Sequence, residues 1–200
     1  MVNLAVDYSA LSSEANKLIA LLDDINSLKP KYAILVAEIL LLRLFDCLVE
    51  TMTSITVKIM CGALYSDGSQ PGLIIQSRSR VDAMDNMANY GRRRQRRLKW
   101  TQIREIKGNV RYVIAVNEHF LNVLDSHMLF IEEIRWIRNR IAHNNAATRK
   151  NYREAVLHYY GAYVNSIRPG ILLLSPRQNP VLMRQYLLKS RILVKTLIKG

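Results

Sequence analysis

The chain is 200 residues long, half of it apolar and 22% charged. This composition excludes wholesale disorder and allows a core that needs no staples. Its two cysteines, Cys47 and Cys61, exclude a disulfide scaffold and a four-cysteine zinc site, and fit a reducing cytosol with buried structural thiols. The net charge is +13 with an isoelectric point near 10.0, unevenly spread: residues 1–90 carry 7 basic and 10 acidic side chains, residues 91–200 carry 22 and 6. Such asymmetry suits a polyanion partner, either nucleic acid or an anionic membrane surface.

Residues 4–28 predict an amphipathic helix, with Leu11, Leu18, Leu22 and Ile25 at helical spacing. No basic stretch followed by an apolar one opens the chain, so no signal peptide is expected. Pro30 breaks the chain and suits a first helical position. Residues 31–64 predict a long helix, apolar on most faces and central to the fold. Glu38, Arg43 and Asp46 interrupt its most apolar stretch well short of a membrane span. Residues 65–80, rich in Gly, Ser and Asp, predict a long loop. Helices are expected over 81–99, over 101–126 with a split near Gly108, over 128–146 with Ile134, Ile137 and Ile141 buried, and over 149–166 with Tyr152, Val156, Tyr159 and Tyr163 in register. Residues 168–180 hold Pro169, Pro176 and Pro180 and predict a connector with room for one short strand. Residues 181–199 close as a helix on which Arg184, Arg191, Lys195 and Lys199 span about 80° of arc. The expected fold class is all-α: one domain over 1–200, with an up-and-down bundle over 1–166. A connector and an additional basic amphipathic C-terminal helix would occupy 167–200.

One stretch carries chemistry: Arg138-Asn139, three residues, then His143. Asn139 and His143 are i, i+4 and share a helix face, and Arg138 lies about 100° around, flanking the same patch. The isoleucines turn elsewhere and bury the helix. The trio suits RNA cleavage, in which the ribose 2′-OH is the nucleophile. His143 is the natural proton carrier, because an imidazole titrates close to working pH. Arg138 forks onto phosphoryl oxygens, and Asn139 orients the imidazole or a phosphate oxygen. This chemistry calls for no metal or cofactor, and DNA, lacking the 2′-OH, would not be cut. A plainer reading is a helix C-terminus at which His143 caps carbonyls and Arg138 meets Glu133 or another acid. Glu132 and Glu133 either orient an arginine of the motif or face water, and the second is expected. A second match to the spacing, Arg153 to His158, has an acidic residue directly after the arginine and is not read as a site.

Arg138-Asn139-x-x-x-His143, ending an apolar helix in a small all-α chain, resembles the R-x4-6-H signature of the HEPN superfamily, in which a polar Asn directly after the Arg is favoured. The resemblance implies a helical bundle that dimerises so that two motif helices build one composite RNase site. Arg138, Asn139 and His143 would be its catalytic set, contributed twice, giving a 2′,3′-cyclic phosphate and a 5′-OH. It further implies a metal-independent endoribonuclease acting as a toxin or in antiviral defence. An acidic antitoxin or inhibitor protein would suit the basic surface. Position 145 is Asn, where HEPN toxins paired with nucleotidyltransferase antitoxins carry Tyr, so that pairing is not expected.

Arg92, Arg93, Arg94, Arg96, Arg97 and Lys99 put six basic residues into eight positions, with Tyr90 and Trp100 flanking. Arginines bind phosphates and aromatics stack on unpaired bases, so this run, with Trp100, is expected to bind RNA. A solvated helix face or an anionic-membrane patch is the plainer alternative. His119 and His127 lack metal spacing and are expected to be structural. No phosphate-cradling glycine loop, nucleophile elbow or HExxH is present in the sequence, which disfavours kinase, P-loop NTPase and zinc-protease chemistry. The expectation is a cytoplasmic, RNA-directed homodimer with no membrane partner. The alternative is a non-catalytic RNA-binding, regulatory or interaction subunit of a defence or toxin–antitoxin system.

Overall fold

The computed structural model describes residues 3–89, 98–143, 145–164 and 166–200. The fold class is all-α, with no β-strand among the described residues. The helices are α1 (Ala5–Asp23, followed by a 3-10 turn over Asp24–Ser27), α2 (Pro30–Met60), α3 (Arg80–Asn89), α4 (Ile103–Val110), α5 (His119–Ser126), α6 (Met128–Ala142), α7 (Ala146–Tyr160), α8 (Pro169–Leu173) and α9 (Leu182–Leu197). The chain sorts into two compact units: Met1–Ser12 with Leu48–Met128 and Arg191–Gly200, and Ser13–Cys47 with Leu129–Ser190.

In the first unit, Leu48, Met52, Ile55 and Ile59 of α2 recur at i, i+4, i+7 and i+11 and are each at most 1% exposed. Full burial of such a side chain is worth roughly 1.5–3 kcal/mol. Asp7 of α1 is buried beside them. It accepts from Lys58 Nζ at 2.7 Å and Ser54 Oγ at 2.7 Å, so its charge is paired rather than stranded. The segment 65–79 is irregular, as its composition predicts, but it is tied down. The buried carboxylate of Glu118 accepts from the Tyr65 hydroxyl at 2.5 Å and the Gly72 amide at 2.5 Å. A Cβ on Gly72 would meet Glu118 Oε2 at 2.8 Å, so a larger residue there would push the carboxylate off the Gly72 amide. Leu73 and Ile114 form an isolated antiparallel bridge, flanked by Ile74 N–H to Val113 O at 3.0 Å and Ala115 N–H to Gly72 O at 2.8 Å. These bonds claim the backbone of 113–115. The helix expected over 101–126 is therefore two, α4 and α5, and the split falls over 111–118 rather than near Gly108, which lies inside α4.

In the second unit, Leu18, Leu22 and Ile25 are buried, as are Leu40, Leu41, Leu44 and Phe45 of α2. On α6, Ile134 and Ile137 are fully buried, while Ile141, in the last turn, is half-buried. Helix α7 ends at Gly161, whose φ of 68° is left-handed. Tyr163, expected in the α7 stripe, therefore lies past the helix and is 58% exposed. The expected connector over 168–180 holds the short helix α8, opened by Pro169, rather than a strand. Cys47 and Cys61 are half-buried, not fully so. Of the basic residues expected to stripe the last helix, Arg184 is bonded to Asp23 within the second unit, and Arg191 engages Tyr8 within the first.

Candidate active site

Helix α6 presents two arcs. Phe130, Ile134 and Ile137 turn inward, and Arg135, Asn139 and His143 share the opposite side at i, i+4 and i+8. Arg138 stands four residues after Ile134, at the border of the buried arc. Its guanidinium carbon lies 5.6 Å from the centre of the Phe45 ring. Its Nη1 donates a long hydrogen bond, 3.4 Å, to Asn139 Oδ1. Its Nε is buried and has no hydrogen-bond partner. Among the described residues no carboxylate pairs with Arg138, neither Glu133 nor another acid.

His143 is the first residue beyond α6 and is exposed. Its amide still donates to Asn139 O at 2.8 Å, which preserves the i, i+4 register. Its carbonyl accepts from Thr148 Oγ1 at 2.5 Å. Thr148 is also half of the α7 cap: its amide donates to Asn145 Oδ1 at 2.9 Å, and its hydroxyl accepts from the Asn145 amide at 3.3 Å. The backbone of His143 is thus held from both sides while its imidazole stands in solvent. Arg138, Asn139 and His143 lie on one helix end: a half-buried guanidinium, an amide and an exposed imidazole.

Glu132 and Glu133 do not both face water. Glu132 takes Arg135 Nε at 2.9 Å and Nη2 at 2.5 Å. Glu133 is 2% exposed. It is i−4 to the fully buried Ile137 and i+3 to Phe130, so the helix carries it inward. Its Oε1 is hydrogen-bonded to His158 Nδ1, and its Oε2 accepts from the Tyr159 hydroxyl at 2.9 Å. Tyr186 in turn donates to the Tyr159 hydroxyl at 3.4 Å. The His158 ring, half-exposed, stacks on Tyr159 at 4.7 Å between ring centres and 13° between planes. Burial pushes the Tyr159 and Tyr186 phenols above the usual tyrosine range, and the Glu133 charge adds to it. Sequence reasoning missed this network. The signal was available in the shared face of Phe130, Glu133 and Ile137.

The remaining candidates sit elsewhere. Arg92, Arg93, Arg94, Arg96 and Arg97 lie outside the described residues. Lys99 is exposed and pairs with Glu105 at 3.2 Å. Trp100 is 8% exposed and belongs to the packed interior, so its ring is not offered to a base. His119 Nε2 meets Thr196 O at 2.8 Å, and His127 Nδ1 meets Val123 O at 3.0 Å, both structural contacts as expected. Among the described residues no group of three or more His, Cys, Asp or Glu is placed to hold a metal ion, and no helix is long and apolar enough to cross a membrane. No family model, curated protein or solved structure matches the chain.

Proposed function

We propose that the chain is a metal-independent endoribonuclease of HEPN type, with Arg138, Asn139 and His143 as its catalytic set. The observation that carries this reading is the state of Arg138. It is a half-buried guanidinium with a buried, unpartnered Nε and no carboxylate partner among the described residues. A guanidinium with no carboxylate partner is costly to half-bury unless an anion meets its charge, and a phosphate beside the exposed His143 suits its outer nitrogens.

In the proposed reaction the neutral imidazole of one His143 takes the proton of the ribose 2′-OH. The 2′-oxygen bonds to phosphorus and the P–O5′ bond breaks. The leaving oxygen receives a proton from an imidazolium, and the products are a 2′,3′-cyclic phosphate and a 5′-OH. Arg138 holds the developing charge on the phosphoryl oxygens, and Asn139, in contact with Arg138, sets its direction. One chain offers one histidine at this helix end, whereas the reaction uses a base and an acid. A homodimer in which a second copy brings the other His143 completes the site, as the HEPN resemblance implies. The basic half of the chain favours RNA as substrate and an acidic protein as neutralising partner, in a cytoplasmic toxin or antiviral-defence role.

The test is incubation of the purified chain with total RNA in EDTA, wild type beside His143→Ala. Cleavage by wild type alone, leaving cyclic-phosphate ends, is expected. RNA bound but left uncut by both proteins would overturn the enzyme in favour of an RNA-binding subunit.

A further inference from the structure

A second site is built on α4, within the first unit. Arg104, Lys107, Gly108 and Arg111 are spaced i, i+3, i+4 and i+7 and share one helix face. With Ile114, Val116 and Leu121 they line a cleft of about 420 Å³, within the range of small-molecule sites. Ile114 and Leu121 are buried at its floor, and Val116, 79% exposed, stands at its edge.

Gly108 leaves the middle of the cleft without a side chain. It sits inside a helix, where glycine is the weakest former after proline. Its φ is not in the left-handed region, and a Cβ there would meet nothing within 4 Å. Neither backbone geometry nor packing asks for glycine, and what its missing side chain provides is the space between Arg104 and Arg111. The charges on the rim are not all spent. Lys107 Nζ is held by Asp125 at 2.7 and 2.9 Å. Arg104 and Arg111 have no carboxylate partner among the described residues. The Arg111 guanidinium carbon lies 5.3 Å from the centre of the Tyr112 ring, which orders it.

An apolar wall between two uncompensated guanidiniums selects a ligand with a flat apolar body and negative charge beside it. We propose that this cleft binds a nucleoside phosphate, with its base over Gly108 against Val116 and the edge of Leu121 and its phosphate on Arg104 and Arg111. Single strands are commonly held by arginines on the backbone and aromatic rings on the bases; here aliphatic side chains and the guanidinium planes take the place of the rings. The same chemistry is presented by a free nucleotide and by one unit of an RNA strand.

The test is titration of the full chain with adenosine monophosphate and, separately, with a 2′-O-methyl single-stranded RNA oligonucleotide. That oligonucleotide has no 2′-OH to react, so binding is read whether or not the chain is a nuclease. Gly108→Leu is expected to weaken binding more than about tenfold by filling the cleft. Arg104→Gln with Arg111→Gln is expected to weaken it by about tenfold or more and to flatten its salt dependence by about two ions. Gly108→Ala is the folding control, and keeps full helicity. Binding of both probes identifies a free-nucleotide site, and binding of the oligonucleotide alone identifies a strand subsite. Either supports the proposal if Gly108→Leu or the arginine pair removes it. No binding by wild type, or affinities unchanged in these variants, overturns it.

Discussion

The Thr148 hydroxyl donates a 2.5 Å hydrogen bond to the carbonyl oxygen of His143. The same side chain closes the cap of α7 with Asn145. One residue therefore starts one helix and fixes the backbone at the end of the preceding one, at the residue proposed to move protons. Thr148→Val keeps the shape and removes the hydroxyl. It is expected to cost about 1 kcal/mol, the worth of a helix cap, and to lower the melting temperature by about 2–4 °C. RNA cleavage should fall further than RNA affinity, because His143 loses its tether. Thermal melts beside cleavage and binding assays check this. A lower melting temperature with undiminished cleavage would reduce Thr148 to a cap.

Arg138 separates a working arginine from a structural one. A buried donor left without a partner costs about 1–3 kcal/mol. Arg138→Met retains the apolar stem over Phe45 and deletes that donor. It is expected to leave the chain as stable as wild type, or more so, while cleavage falls by at least about 10²-fold. Such a trade is the mark of a residue kept for function at the expense of stability. Urea unfolding and a cleavage assay on the same preparation measure both. A large loss of stability would mean that the guanidinium serves the fold.

How far α6 was legible depends on what each residue is read by. Periodicity alone gives the helix, its buried Ile134 and Ile137, and the shared face of Asn139 and His143. Glu133 was read by its charge, as water-facing, yet its register with Phe130 and Ile137 puts it inside. The cost of that position is met by His158 and Tyr159, whose contribution comes from another helix and leaves no local trace. Trp100 was read by its neighbours in the basic run and is decided by tertiary burial. The split of 101–126 is not a matter of helix propensity at all, since the pairing of 113–115 with 72–74 overrides it. Asn145, noted for not being Tyr, proves to be the α7 cap, a role the residue type suits at that position.

The Glu133 network makes a sharp stability prediction. His158→Ala leaves a carboxylate that is 2% exposed with one partner fewer. Half-exposure of His158 lets water replace part of what is lost, so the expected cost is about 1–3 kcal/mol. Glu133→Gln should cost a similar amount, and the double variant much less than the sum, because each substitution breaks the same contact. Urea denaturation of the four proteins closes the cycle. Additive losses would show that the pair is not coupled and that Glu133 relies on Tyr159 alone.

Alkaline pH should unfold the chain through its tyrosines. Tyr65, Tyr152, Tyr159 and Tyr186, four of its ten, are all held above the ordinary tyrosine value, foremost by burial. Above pH about 10, the unfolded phenols release protons that the folded ones keep. The native state then binds more protons than the unfolded one, so stability falls as pH rises. That contribution is complete below pH about 10 and is lost progressively above it. The tyrosinate absorbance of these four is expected to appear together with the loss of helical circular dichroism. Tyr152→Phe should reduce the amplitude of this coupled phase. Full ionisation of all ten tyrosines while the helices persist would show these phenols to be open to solvent.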